Sequence, residues 1–267
     1  MSQLDLQTDR MLAHAGDGIG WMIFNNPARH NALSLEMWQG IADIMEAYAA
    51  DEEIRVVIMR GAGGKAFVSG ADISEFDSNR SSATQQESYA RIAGKASHRL
   101  ATFEKPLIGL IEGYCIGGGL ATALSADIRF ATPDSKFGIP AARLGIGYEY
   151  EGLAKLARVV GPSRARDILF SARFMDAEEA KAIGLINFIA ERADIEAATL
   201  DYAKTIAGNA PLTVKAAKAA LNTWERGARA KELEHVRELV GNCFDSDDYK
   251  EGRRAFKEKR TPDFLGR

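Results

Sequence analysis

Three segments of this 267-residue chain hold residues of a type and spacing suited to chemistry. The first is a pair of glycine turns, Ser69-Gly70-Ala71-Asp72 and Ile116-Gly117-Gly118-Gly119, each following a short apolar run and preceding a segment with helical character. Free backbone N–H groups at such turns point outward together and carry the positive end of a helix dipole, so two of them can stabilise an oxyanion. Glycine lets a ligand carbonyl approach closely. By spacing alone, tight turns account for both segments. The second is Gly145-Ile146-Gly147-Tyr148-Glu149-Tyr150-Glu151-Gly152, where two tyrosines interleave with two glutamates beside flexible glycines. That composition would wall a cleft and raise a carboxylate towards useful base strength, although a solvated loop can look the same. The third, Gly113-Tyr114-Cys115-Ile116-Gly117, matches a nucleophile elbow with cysteine in place of serine. An acid and then a histidine should follow. The only later histidine is His235, inside the helix-patterned 230–240 stretch, and His14, His30 and His98 come earlier. Cys115 therefore reads as a small buried hydrophobe, with a Cys-dependent α/β-hydrolase as the lesser alternative.

Other chemistries fail on context. Gly61-Ala62-Gly63-Gly64-Lys65-Ala66 matches G-x-G-x-x-A after a strand, yet Phe67-Val68-Ser69-Gly70 follows where a dinucleotide fingerprint must open a helix, and Lys65-Ala66 lacks the Ser or Thr of a P-loop. Two cysteines, Cys115 and Cys243, with no C-x-x-C pair, supply neither a disulfide framework nor a zinc site, so no metal is expected and reduced, cytoplasmic thiols are the default. MSQLDLQTDR carries two aspartates and no long apolar run, unlike a signal or transit peptide. The most apolar stretch, 106–128, contains Glu112, Asp127 and five glycines, which makes a poor membrane span. A net charge of −3 argues against a general footprint for nucleic acid. A hydrophobic share of 46% with 27% charged residues is that of a folded globular chain.

The elements that must position these segments follow from periodicity. Residues 18–24 read as a strand ending at Asn25-Asn26-Pro27; Ser34 caps a helix running to Ala50, with apolar residues at Met37, Ile41, Ile44, Met45 and Tyr48. Residues 54–59 form a β-branched strand, 89–103 a helix, 106–111 a strand, 117–126 a helix and 128–131 a strand. This rhythm predicts βαβ units with buried, largely parallel strands. Beyond Gly161 helices dominate, at 163–170, 177–183, 195–208, 212–225 and 228–240, with one brief strand signal at 185–189. No linker separates the halves, so the helical tail should pack on the core or on another subunit.

In order along the chain, NPARHNALS, IRVVIMRGAGGKAFVSGADISEF, KPLIGLIEGYCIGGGLATALSADIRFATPDSKFGIPAARLGIG, ARDILFSARFMDAEEAKAIGLIN, NAPLTVKAAK and FKEKRTPDF resemble the crotonase superfamily, also called the enoyl-CoA hydratase/isomerase family, over nearly the whole length. The resemblance implies an α/β fold, a crotonase-like spiral of ββα units with a C-terminal helical region. Residues 1–200 would form the spiral core that binds acyl-CoA, and 201–267 would serve oligomerisation and cover the active site, in a homotrimer or homohexamer. The implied partner is an acyl-CoA thioester, with coenzyme A entering as part of the substrate and no separate cofactor. The family holds the thioester carbonyl between two backbone N–H groups, which map onto Ala71 and Gly118; Asp72, Ile73 and Ser74 would flank the ligand. Lys65 and Arg29 would neighbour the CoA phosphates or adenine, and the basic residues of 250–260 could add a phosphate contact from an adjacent subunit. The chain departs from the hydratase pattern at Ala121 and Ala141, where typical hydratases carry their two glutamates, and alanine cannot transfer a proton. Glu149 falls where some isomerases of the family place a catalytic glutamate and where chlorobenzoyl-CoA dehalogenases place an aspartate. The implied reaction is hydration or double-bond isomerisation of an enoyl-CoA through a thioester enolate, with Glu149 as acid/base. The two alanines raise the alternative of a non-catalytic CoA-binding or scaffolding member.

Overall fold

Hairpin chemistry opens the fold. In a computed structural model, which describes residues 2–72, 83–148 and 150–267, β2 (Met11–Gly16) and β3 (Ile19–Phe24) pair antiparallel across Asp17-Gly18. Both turn residues take positive φ, 53° and 77°, as the tightest hairpin turn demands. A short β1 (Ser2–Gln3) pairs antiparallel with β2. Ser34 caps α1 (Leu35–Ala50) as expected, its hydroxyl accepting from the Met37 N–H, and Met37, Ile41, Ile44, Met45 and Tyr48 are all buried.

Three repeats of strand, strand, helix follow. They are β4 (Val56–Gly61), β5 (Ala66–Val68) and α2 (Ala83–Thr102); β6 (Leu107–Ile111), β7 (Tyr114–Ile116) and α3 (Gly118–Ala123); and β8 (Ile128–Ala131), β9 (Lys136–Gly138) and α4 (Tyr150–Ser171). The first strand of each repeat enters a seven-stranded sheet ordered β1-β2-β3-β4-β6-β8-β10, parallel from β3 onward, where β10 is Phe188–Ile189. The second strands form a separate parallel sheet, β5-β7-β9. A spiral of ββα units results.

Several expectations shift. The strand read at 54–59 pairs over 56–61, and the helix read at 117–126 ends at Ala123. β5, β7 and β9 went unread because three residues are too few to show a period. The helix read at 163–170 is present as the second half of α4, which follows the break at Gly161 (φ 79°) and Pro162; the first half, from Tyr150, went unread. Apart from β10, the regular elements of the tail are helices, α5 (Ala177–Ala182), α6 (Ile195–Ala207), α7 (Pro211–Glu225), α8 (Ala230–Asp245) and α9 (Asp247–Glu258).

Two buried clusters hold these layers. The larger joins α1 and the inner sheet face to β5, β7 and α4 through Met22, Phe24, Ile41, Phe67, Cys115 and Leu156. The smaller lies on the opposite sheet face, where Ile195 and Ala203 of α6 cover Ile19, Val56, Ile58, Ile108, Leu110 and Phe130. β5 and β7 thus end buried against the core, and each leads directly into one of the two glycine turns.

Candidate active site

Asn31 anchors the first turn. It is fully buried at φ 56°, and its Nδ2 donates to the carbonyls of Ala62 (3.0 Å) and Ala66 (2.7 Å) while its Oδ1 accepts from the Asn26 N–H (2.8 Å). The 61–66 loop is thereby tied to the short 3-10 turn Pro27–Arg29. Leu33 then pairs with Ala71 in a parallel bridge, its N–H donating to the Gly70 carbonyl (2.8 Å) and its carbonyl accepting from the Asp72 N–H (2.9 Å). In such a bridge the bonds go to the residues flanking Ala71, so the Ala71 N–H itself faces the other way. It has no acceptor among the described residues.

The second turn arrives from β7. Gly117 adopts φ 56° and ψ −118°, and its N–H donates to the Gly138 carbonyl (2.8 Å). Gly118 opens α3, where the first N–H groups have no intrahelical acceptor. A Cβ on Gly119 would stand 2.0 Å from the Val68 carbonyl oxygen, so this helix can rest on β5 only through glycine. A Cβ on Gly118 would stand 3.7 Å from the Ala71 nitrogen, and one on Gly117 would stand 3.9 Å from the Gly70 Cα. Two amides from turns far apart in sequence therefore lie side by side, with glycine leaving the space between them open. Such a pair can donate two hydrogen bonds to one developing oxyanion.

Around the turns, the half-buried Ala121 sits on α3 and the half-buried Ala141 on the 3-10 turn Pro140–Arg143, so methyl groups occupy both positions. Tyr148 is half-buried against the main core, and burial pushes its phenol up. Asp72 is buried beside Ala71. Ile73, Ser74 and Glu149 lie outside the described residues. Arg29 and Lys65 are both exposed on loops flanking the first turn; the Arg29 carbonyl accepts from Ser69 Oγ (3.4 Å), and the Lys65 carbonyl accepts from the Tyr114 N–H (3.1 Å). In the 250–260 stretch, Arg260 pairs with Glu251 and Glu258, Arg254 with Glu251, and Lys250 with Asp247. Those charges meet partners within their own helix and its end.

Sequence reading passed over Glu112, whose buried carboxylate pairs with Arg60 (3.2 Å) and Arg192 (2.9 Å). Arg192 also reaches Asp134 (2.7 Å) and the Gly64 carbonyl (2.6 Å), bracing the loop that carries Lys65. No spacing signals a triad drawn from three distant segments. Asn31 and Leu33, equally unread, orient the first amide. Cys115 is the small buried hydrophobe expected, and the alternative of a cysteine nucleophile falls. Cys115 is fully buried on β7, and burial pushes its thiol well above the range in which a thiolate forms, while His235 lies exposed on α8, 3.7 Å from Glu238. A groove of about 480 Å3 between the end of α2 and helices α7 and α8 contains no residue of either turn. Among the described residues no group of His, Cys, Asp and Glu assembles to hold a metal ion, and no helix is long and apolar enough to cross a membrane.

The family model described as enoyl-CoA hydratase/isomerase matches residues 14–267. The chain is 35% identical over 236 residues to the short-chain-enoyl-CoA hydratase of Clostridium acetobutylicum, covering 88% of this chain and 90% of that protein. It is 32% identical over 246 residues to the crotonyl-CoA hydratase of Syntrophomonas wolfei, covering 92% and 94%. A crystal structure of an enoyl-CoA hydratase/carnithine racemase from Magnetospirillum magneticum matches with a TM-score of 0.91 at 38% identity, over 99% of this chain and 97% of that one. Because the ββα spiral, the order of the motifs and a match running from residue 14 to the last residue agree, this chain belongs to the enoyl-CoA hydratase/isomerase family of the crotonase superfamily.

Proposed function

We propose that the Ala71 and Gly118 N–H groups hold the thioester oxygen of an enoyl-CoA and that Glu149 moves the proton required for hydration or double-bond isomerisation. The observation that carries this reading is the pair of amides, without acceptors among the described residues, that meet across the space at Gly118. Two donors on the carbonyl oxygen acidify the adjacent carbon, and the resulting enolate needs one nearby group to take and return a proton. Methyl groups at Ala121 and Ala141 leave the usual two-glutamate addition of water without its carboxylates. One carboxylate suffices for a proton shuttle, and Glu149 follows directly on Tyr148, whose hydroxyl stands 3.6 Å from the Cβ position of Gly117. Asp72, with Ile73 and Ser74, would flank the ligand, and the exposed Arg29 and Lys65 would meet the CoA phosphates or adenine. Coenzyme A enters as part of the substrate, so the reaction as read needs no other cofactor. Two free cysteines fit a reducing, cytoplasmic setting.

The test is a panel of enoyl-CoA thioesters followed by mass spectrometry and ultraviolet absorbance. Glu149→Gln should keep CoA binding and lower turnover by about 10²–10⁴-fold, the usual worth of a positioned acid/base, with Glu151→Gln as the control. Full activity in Glu149→Gln removes the assignment. The same alanines favour a second reading, a CoA-binding member without catalysis; that reading stands if the wild type binds thioesters and converts none.

A further inference from the structure

Tyr148 carries a hydroxyl that no described residue engages. Its ring is half-buried against the main core, with Cδ1 3.9 Å from the Cβ position of Gly152 in the first turn of α4. Buried phenols as a rule find a hydrogen-bond partner. Tyr48 donates to the carbonyls of Trp21 (2.9 Å) and His14 (3.0 Å), and Tyr89 accepts from Trp38 Nε1 (2.8 Å). The Tyr148 hydroxyl has no partner among the described residues. It stands 3.6 Å from the Cβ position of Gly117, a position glycine leaves empty, so the hydroxyl looks across open space at the turn that presents the Gly118 amide. Apart from this hydroxyl, the nearest heavy atom to that position among the described residues is the Gly70 Cα at 3.9 Å, the backbone of the other glycine turn.

We infer that Tyr148 donates a hydrogen bond to the acyl group held at Ala71 and Gly118, a third donor beside the two amides; this rests on the enoyl-CoA reading above. A phenol is protonated at neutral pH and burial pushes this one further up, so the group facing the site is an O–H donor rather than a phenolate. Its hydrogen bond strengthens as negative charge develops on the acyl group, so its weight falls on the chemical step more than on binding.

Tyr148→Phe removes the oxygen and keeps the ring. On an enoyl-CoA that the wild type converts, kcat should fall by about ten- to a hundredfold, somewhat below the loss of a main oxyanion donor, while the Kd of a saturated acyl-CoA stays within about threefold. A chromophoric aryl-enoyl thioester of CoA should show a red-shifted absorption band when bound to the wild type, and a smaller shift in Tyr148→Phe. Unchanged kcat, or a loss confined to KM with the full red shift, would mean that Tyr148 only packs, and overturns the inference. If Tyr148→Phe does not fold, 3-fluorotyrosine placed at position 148 keeps the shape and strengthens the donor; it should enlarge the red shift, and an unchanged band overturns the inference equally. A wild type that binds no enoyl thioester overturns the enoyl-CoA reading together with this inference, whereas a wild type that binds and polarises the probe, matched by its variants, overturns this inference alone.

Discussion

Gly118 separates chemistry from folding at the level of one residue. A methyl there would stand 3.7 Å from the Ala71 nitrogen, an ordinary van der Waals distance, and the backbone at this position is not left-handed. Gly118→Ala should therefore fold, with a melting midpoint near that of the wild type, while its methyl intrudes on the space between the two amides. Turnover should fall by about 10²–10³-fold, the size of losing one oxyanion donor. Steady-state kinetics beside a thermal melt checks both halves, and an active Gly118→Ala would move the oxyanion site elsewhere. Gly119 is a different case. The Val68 carbonyl lies 2.0 Å from its Cβ position, so a substitution there would perturb the helix and the turn together and could not isolate the chemistry.

Among the elements, the loop between β4 and β5 depends on Asn31. Its side chain satisfies one buried and one half-buried carbonyl and one N–H from a left-handed backbone that alanine tolerates poorly. Asn31→Ala should cost about 2–4 kcal/mol in urea unfolding, because buried groups lose their partners, and a loss under about 1 kcal/mol would show the loop to be held otherwise. α4 supplies a pH test. Lys155 donates to Ser125 Oγ (2.8 Å), and burial, with Arg226 adding to it, pushes its ammonium down to about 8. Its unfolded value is about 10.4. Between these values the unfolded chain holds the proton that the native chain has released, so this group's contribution to stability rises with pH through that window and is lost as pH falls through 8. Lys155→Met should be more stable than the wild type at pH 7, with the difference shrinking towards pH 10. Parallel urea midpoints that stay equally far apart at both pH values would contradict the linkage.

The whole molecule has more surface than its mass alone requires. A folded monomer of 29.0 kDa exposes roughly 11400 Å2 by the usual scaling, whereas this chain exposes 14207 Å2. Part of the exposed apolar area lies on the C-terminal helices, at Leu221, Trp224, Val240, Phe244 and Phe256, with Trp224 at 76% and Phe256 at 86%. The chain end is tied back, since Asp248 accepts from the Leu265 and Gly266 N–H groups and Arg55 donates to the Phe264 carbonyl, so these helices do not swing free of the core. We propose that copies of the same chain cover this surface, giving the trimer or hexamer that the family resemblance implies. Light scattering at micromolar concentration should report a multiple of the monomer mass, and Trp224→Glu should reduce it; monomer alone would remove the proposal.

Local signals determined what the sequence could settle by itself. The Ser34 cap and the apolar stripe of α1, the β-branched run that became β4 and the punctuation at Gly117-Gly118-Gly119 act within a few residues, where capping, periodicity and glycine permissiveness operate directly. The family resemblance added the two amides. Tertiary structure decided the rest. Three-residue strands have no period to read, so the second sheet exists only through its pairing. The first half of α4 lies behind the break at Gly161-Pro162. The Ala71 amide has no acceptor among the described residues because Leu33, from another segment, bonds to the residues on either side of it, and Glu112 is held by arginines from β4 and from the stretch after β10. Whether a buried polar group has a partner depends on which distant segments meet in space, and propensity along the chain carries no record of that.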